Sequence, residues 1–299
     1  MCKEVKYKKL VERVKADYKH RKYPTNENAI YVKDCEHDLK RINLWSYWQG
    51  NLDAKILVLG QDWGSFIPSD KENEKRKIDR IMDENFKKID AGENVDYFSG
   101  VDERIKSSTD KMLIELFDAI KIDISGKSEP RIPLFFSNLC LGYRNDGYTG
   151  GFKMSWLNSD VKYLVGYDED GEHIDGLLEI IKPKVVICLG KNVYKVVIRA
   201  LFEKNALKEN VNISDFYRLL HEGKNFRNAS LKGNDMQIFG MSHPGPLGQA
   251  NRKSRIKDLY SDVKETGKEL QISDWGKMAS MYDENFERLK KNTWCVGIE

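Results

Sequence analysis

The sequence predicts a three-layer α/β/α fold around a central, four-stranded, mainly parallel sheet. Four short apolar runs, at residues 55–59, 132–136, 184–189 and 236–240, have strand character. The first and third are continuously apolar and rich in β-branched residues, as expected of strands covered on both faces. Amphipathic stretches lie between them, and strands alternating with helices argue for a parallel sheet with helices on either side.

Taken in order, the chain opens on a lysine-rich N-terminus, and the first apolar run ends in a glycine-bounded turn. Residues 70–91 are highly charged and read as a helical insertion. Residues 109–120 put Met112, Leu113, Leu116, Phe117 and Ile120 on one helical face, with Ser108 or Thr109 as N-cap. Residues 174–181 and 192–202 are amphipathic in the same way, whereas 202–234 is a polar stretch closing on Gly233-Asn234. Residues 251–270 and 274–291 read as terminal helices. There is no repeat, low-complexity tract or proline-rich linker. One domain is therefore expected over 1–299, with a core at about 52–270 and helical extensions at both ends.

Hydrophobic residues make up 40% of the 299 and charged residues 32%, so a buried core coexists with a strongly solvated surface. No apolar run approaches the roughly 20 residues of a membrane-spanning helix, and residues 1–10 lack the apolar stretch of a signal peptide. A soluble, cytoplasmic protein with no membrane partner is the expectation. The formal charge of +3 is uninformative, but its distribution is not. Nine lysines and arginines, from Lys3 to Lys22, crowd the N-terminus against three acids, and Arg252, Lys253, Arg255 and Lys257 form a second cluster. Such clusters can meet phosphates, although a lysine run more often forms a solvated face. The five cysteines are scattered, with no CxxC pair and no histidine at zinc spacing, so reduced thiols and no metal are expected.

Each strand ends in something chemically distinctive, and ligands of open parallel sheets bind beyond the carboxyl ends of the strands. The first is followed by Gly60-Gln61-Asp62-Trp63-Gly64, a tight turn that puts a carboxylate at the strand's mouth, either to orient water or to cap a helix. The second ends Phe135-Phe136-Ser137-Asn138, where the amide can address a base edge or satisfy its own turn. The third ends Leu189-Gly190-Lys191-Asn192, ordinary turn chemistry that also suits an anion at a helix start. The fourth ends Ser242-His243-Pro244-Gly245-Pro246-Leu247-Gly248. Two prolines and two glycines there hold a histidine beside a leucine poorly placed for the core. Such a leucine can wedge into a base stack.

Together these loops resemble those of the uracil-DNA glycosylase superfamily. Gly60-Gln61-Asp62 is similar to the water-activating loop of its best-known branch, and His243-Pro244-Gly245-Pro246-Leu247 to that branch's HPSPL minor-groove loop. Phe135-Phe136-Ser137-Asn138 resembles the strand that ends in the base-reading asparagine. Residues 181–190 resemble a helix-to-strand signature of the iron–sulfur branch, without its cluster-binding cysteine pattern. Tyr97-Phe98-Ser99-Gly100 is similar to the segment carrying the aromatic that stacks on the extruded base, with Phe66 the competing choice. The best-known branch has Pro-Tyr after its Gln-Asp, where this chain has Trp63-Gly64.

The resemblance implies a DNA glycosylase that flips a base from the duplex and hydrolyses its N-glycosidic bond, acting as a monomer on DNA without metal or organic cofactor. Asp62 would position water and His243 would stabilise charge on the departing base. Gln61, Trp63, Phe98 and Asn138 would bind the base. Gly64, Ser242, Pro244, Gly245, Leu247 and Arg252 would contact DNA. Uracil is the implied substrate, with hypoxanthine or a 5-substituted pyrimidine as other candidates. Two alternatives stay open: a catalytically silent DNA-binding protein on the same fold, and an unrelated nucleotide-binding α/β protein. The second lacks both GxGxxG and a phosphate-loop lysine motif after the first strand.

Overall fold

The computed structural model describes residues 1–20, 52–61, 108–122, 124, 134–141, 154–208 and 213–281. In chain order the elements are helix α1 (Lys3–His20), strand β1 (Ile56–Gly60), α2 (Ser108–Ala119), β2 (Leu134–Asn138), α3 (Met154–Asp160), α4 (Lys162–Val165), the short strands β3 (Tyr167–Glu169) and β4 (Glu172–Ile174), α5 (Leu177–Ile181), β5 (Val185–Leu189), α6 (Lys191–Glu203), α7 (Phe216–His221), β6 (Phe226–Leu231), β7 (Asn234–Met241), α8 (Pro246–Lys257) and α9 (Gly267–Met281).

The main sheet has five strands in the order β2-β1-β5-β7-β6. Four of them, β2, β1, β5 and β7, run parallel, and β6 pairs antiparallel with β7. The α/β class and mainly parallel sheet match expectation; the strand count does not. β6 escapes a hydrophobicity reading because only one face of this edge strand is covered, so Phe226-Arg227-Asn228-Ala229-Ser230-Leu231 reads as polar. It is joined to β7 by Lys232 and Gly233, both with positive φ, as a two-residue hairpin turn requires. The small β3–β4 hairpin is likewise invisible in the hydropathy pattern.

The central strands read apolar because they are enclosed. All five residues of β5 and the first four of β1 are buried. Helix α2 buries the expected Met112, Leu113, Leu116 and Phe117, and Phe117 meets Trp275 of α9 edge-on at 4.9 Å between ring centroids. A buried aromatic pair of this kind contributes about 0.5–1.5 kcal/mol beyond its area. Helices α8 and α9 begin earlier than expected, the chain between them spanning 258–266. Cys140 and Cys188 are buried free thiols, and burial pushes the Cys188 thiol well up; Cys2 is free and exposed. No helix among the described residues is long and apolar enough to cross a membrane.

Four cations of the N-terminal basic cluster face their own chain. Lys3 pairs with Asp53 at 2.8 Å and donates to the Leu52 and Ile181 carbonyls, and Lys6 pairs with Asp175 at 3.2 Å. Lys9 pairs with Glu172 and Arg13 with Glu169. Helix α1 is thereby laid along the β3–β4 hairpin, at the amino-terminal end of the parallel strands.

Candidate functional site

The order β2-β1-β5-β7 means that the chain leaves β1 toward one side and returns to build β5 on the other. The carboxyl ends of β1 and β5 therefore flank a topological switch point, where open α/β sheets bind ligands. A cleft of about 1100 Å³ opens there. Gln61, immediately after β1, lines it together with Leu189 and Gly190 after β5 and His243 after β7. Gly190 carries φ of 112°, a left-handed-side conformation that only glycine adopts readily, and it turns the chain directly into α6.

His243 is exposed but its ring is fixed. The Gly245 backbone N–H donates to its Nδ1 at 3.0 Å, so in the neutral imidazole the proton sits on Nε2 and that nitrogen is the donor. The backbone behind the ring is held as well. Gln271 of α9, fully buried, donates its amide to the His243 carbonyl at 2.7 Å and to Ser242 Oγ at 3.0 Å. A Cβ on Gly248 would lie 1.9 Å from the same carbonyl, which is why α8 can begin so close against the loop. Pro246 occupies the first turn of α8, where its missing N–H is harmless. It presents Leu247 at the cleft rim with 75% of its surface exposed.

Asn138 stands at the end of β2, beside Gly60 in the register. A Cβ on Gly60 would lie 2.3 Å from Asn138 Oδ1, so the glycine is the space into which the amide folds. Beyond the strands the pairing continues: Leu139 N–H donates to the Gly60 carbonyl and Cys140 N–H to that of Gln61, both at 2.9 Å. Asn138 is thus brought next to Gln61. It borders a separate small void with Asp160 and Tyr163 rather than the wall of the main cleft.

Two expected DNA contacts are corrected. Arg252 is completely buried and forms a two-pronged pair with Asp274, Nε to Oδ2 at 2.7 Å and Nη2 to Oδ1 at 2.8 Å. It fastens α8 to α9 and does not reach a phosphate. Burial pushes the Asp274 carboxyl up, and Arg252 opposes that shift. Ser242 is also buried, its hydroxyl accepting from Gln271, so it supports the loop from behind. Pro244 and Gly245 are buried in the loop, with Gly245 also on the cleft wall. Asp62, Trp63, Gly64, Phe66 and Phe98 lie outside the described residues.

Sequence reasoning missed Gln271, Tyr217 and Arg218. Gln271 sits in a terminal helix with no motif around it. Tyr217 and Arg218 lie in α7, within the stretch that reads as polar connection, yet both line the cleft. Among the described residues, one group could hold a metal: His173, Asp175 and Glu179, near the β3–β4 hairpin. The Lys232 ammonium lies 2.5 Å from His173 Nε2 and 2.9 Å from Glu179 Oε1, and so already supplies that group with a cation. Compared with known proteins, the chain matches no family model and no curated protein.

Proposed function

We propose that this protein is a DNA glycosylase that hydrolyses the N-glycosidic bond of uracil or a related base after flipping it from the helix, working as a monomer. The observation that carries the reading is His243: a histidine at the switch-point cleft whose Nδ1 is occupied by a backbone N–H, leaving Nε2–H as donor. Negative charge builds on the base as its bond to the sugar breaks, and a donor fixed beforehand stabilises that charge without reorganising.

By resemblance, Asn138 supplies the second polar contact, from the small void beside the main cleft. It and His243 follow strands three places apart, roughly 14 Å at the backbone from spacings of ~4.8 Å. Two side chains and one planar base ring bridge a gap of that size, the amide meeting one edge and the imidazole the other. Gln61 lies between them. Leu247, exposed at the rim, suits the wedge that fills the stack once the base has left. By resemblance, Asp62 positions the water and Phe98 or Phe66 covers the base.

The test is single-turnover cleavage of duplexes that each carry one altered base: uracil, hypoxanthine or 5-hydroxymethyluracil. Release of a free base with an abasic strand left behind is expected for at least one. Tight DNA binding with no release from any would favour the silent binder, and wild-type activity in Asp62→Asn would remove Asp62 from the chemistry.

A further inference from the structure

The cleft is larger than a single extruded base needs. Pockets that bury an entire drug-sized ligand measure about 300–1,000 Å³, and this one reaches about 1100 Å³. The extra length runs along α8. Leu247, Asn251 and Arg255, spaced four apart, form one stripe on that helix, and all three line the cleft, as does Leu259 just past the helix end. From Leu247 to Arg255 the stripe covers about 12 Å at ~1.5 Å per residue. Helix α7 adds Tyr217 and Arg218 to the lining, and Lys191 stands at the start of α6.

We propose that, when the substrate is single-stranded DNA, this outer reach of the cleft is a track for the nucleotides flanking the target one, with Tyr217 and Leu259 against base faces and Lys191, Arg218 and Arg255 on phosphates. The proposal rests on the glycosylase reading and extends it from one nucleotide to its neighbours on the same strand. Single-strand sites combine cationic side chains along the backbone with flat or apolar surfaces for the bases. Both are present. Tyr217 is partly buried, with its ring braced edge-on by Phe216 at 5.1 Å between centroids and an 87° interplanar angle. Leu259 is 53% exposed, a large apolar side chain left open at the far end of the track.

The arginines are not locked. Arg218 pairs with Asp215, and Arg255 approaches Asp258 only to 3.9 Å, all four side chains being about half exposed or more. Pairs of this kind hold about 0–1 kcal/mol, whereas a guanidinium on a phosphate makes a charge-assisted, two-pronged contact. DNA phosphates can therefore exchange for the carboxylates. Asp215 and Asp258 also make the empty track nearly neutral, which favours a ligand offering stacking surface as well as charge.

The decisive comparison uses single-stranded oligonucleotides of three and nine residues, each with a central uracil. Wild type should bind the longer one about tenfold more tightly by fluorescence anisotropy, the scale of one stacked base and its phosphates. That ratio should fall to about one in Arg218→Glu/Arg255→Glu and in Tyr217→Leu. Should Tyr217→Leu fail to fold by thermal melting, Leu259→Ser reads the same stacking surface from an exposed position. Unchanged ratios in the folded variants overturn the track. So does equal binding of a polyglutamate peptide of matched charge, because that outcome needs charge alone. If wild type releases no base from any substrate, the glycosylase reading fails, but the length-dependent binding still decides the track.

Discussion

His173 and His243 stand at opposite ends of one sheet and are held by different kinds of partner. His173, near the amino-terminal end, is gripped through both ring nitrogens by carboxylates, Asp168 at 2.6 Å and Glu179 at 2.9 Å, with Lys232 beside it. Around it Lys3, Lys6, Lys9 and Arg13 of α1 are neutralised by Asp53, Asp175, Glu172 and Glu169. His243, at the carboxyl-terminal end, accepts at Nδ1 from the Gly245 backbone N–H. Its surroundings are locked one layer back, by Gln271 on its carbonyl and Arg252–Asp274 between the supporting helices. At one end paired charges close the surface; at the other, charge is divided between the buried Arg252–Asp274 support and the cleft wall, where Lys191, Arg218 and Arg255 stand. The four paired cations of α1 therefore do not mark the cleft, and of the second basic cluster Arg255 lines it while Arg252 is drawn inside.

The comparison is broken most severely by removing that support. Asp274→Ala strands a fully buried guanidinium, a change that costs about 3–5 kcal/mol, and urea unfolding should show a loss of that order. Replacing Arg252 and Asp274 together by apolar residues should recover much of it. A loss in the single variant no larger than that of an exposed pair, about 0–1 kcal/mol, would mean that the pair is not the clamp described.

The next effect separates the two histidines. On the proposed glycosylase reading, His243→Ala should slow base release by about 10²–10³-fold, as expected for loss of one preorganised donor, with little change in melting temperature because the side chain is exposed. His173→Ala should lower the melting temperature while the release rate stays near wild type. If the two variants exchange these behaviours, the assignment of ends is reversed.

How far the sequence reveals all this depends on the kind of residue. β1 and β5 are legible because enclosure makes every position apolar, and α2 because its buried face repeats at helical spacing. β6 is not, since an edge strand covered on one face reads as polar. At the cleft, His243 is legible because a strand mouth and paired Pro-Gly signals mark it, whereas Asn138, also marked by a strand mouth, borders a separate small void. Arg252 misleads: beside Lys253 and Arg255 it looks like one more surface cation, and nothing local shows that Asp274, twenty-two residues on, has drawn it inside. Gln271 is silent for the same reason, as its partners lie across the fold.

Gln271 gives a smaller and more selective effect. Gln271→Leu keeps the volume but removes the donor to the His243 carbonyl and to Ser242 Oγ. Buried acceptors left unpaired cost about 1–3 kcal/mol, so the melting temperature should fall modestly. A merely structural role would stop there. On the same proposed reading, if Gln271 positions the histidine, kcat for base release should fall by more than KM rises, and Gln271→Glu should not restore it, since a carboxylate cannot donate. Proportional loss of stability with unchanged kcat would confine Gln271 to packing.

The smallest effect is in pH, and its sign differs between the ends. Glu179 and Asp168 hold the His173 imidazolium, against burial and Lys232, so its pKa is raised above 6.5. A raised group contributes stability that is complete below the unfolded value and fades as pH climbs through the folded one. His221, on the site side, is shifted the other way, chiefly by burial and then by Lys277 and Arg252, whose Nη2 lies 3.4 Å from its Nδ1. A lowered histidine binds fewer protons when folded than when unfolded, so its share of stability fades as pH falls through 6.5 toward the folded value. Melting temperatures across pH 5.5 to 8.5 therefore contain two opposed trends. His173→Gln should cost most at the acid end and least at the alkaline end. His221→Gln should flatten the acid-side decline. Lys232→Met, which removes the ammonium opposing the imidazolium, should carry the alkaline loss of His173 stability to higher pH. If His173→Gln costs the same at every pH, the ring is held by contact and shape, and the charge assigned to that end of the sheet is not what secures it.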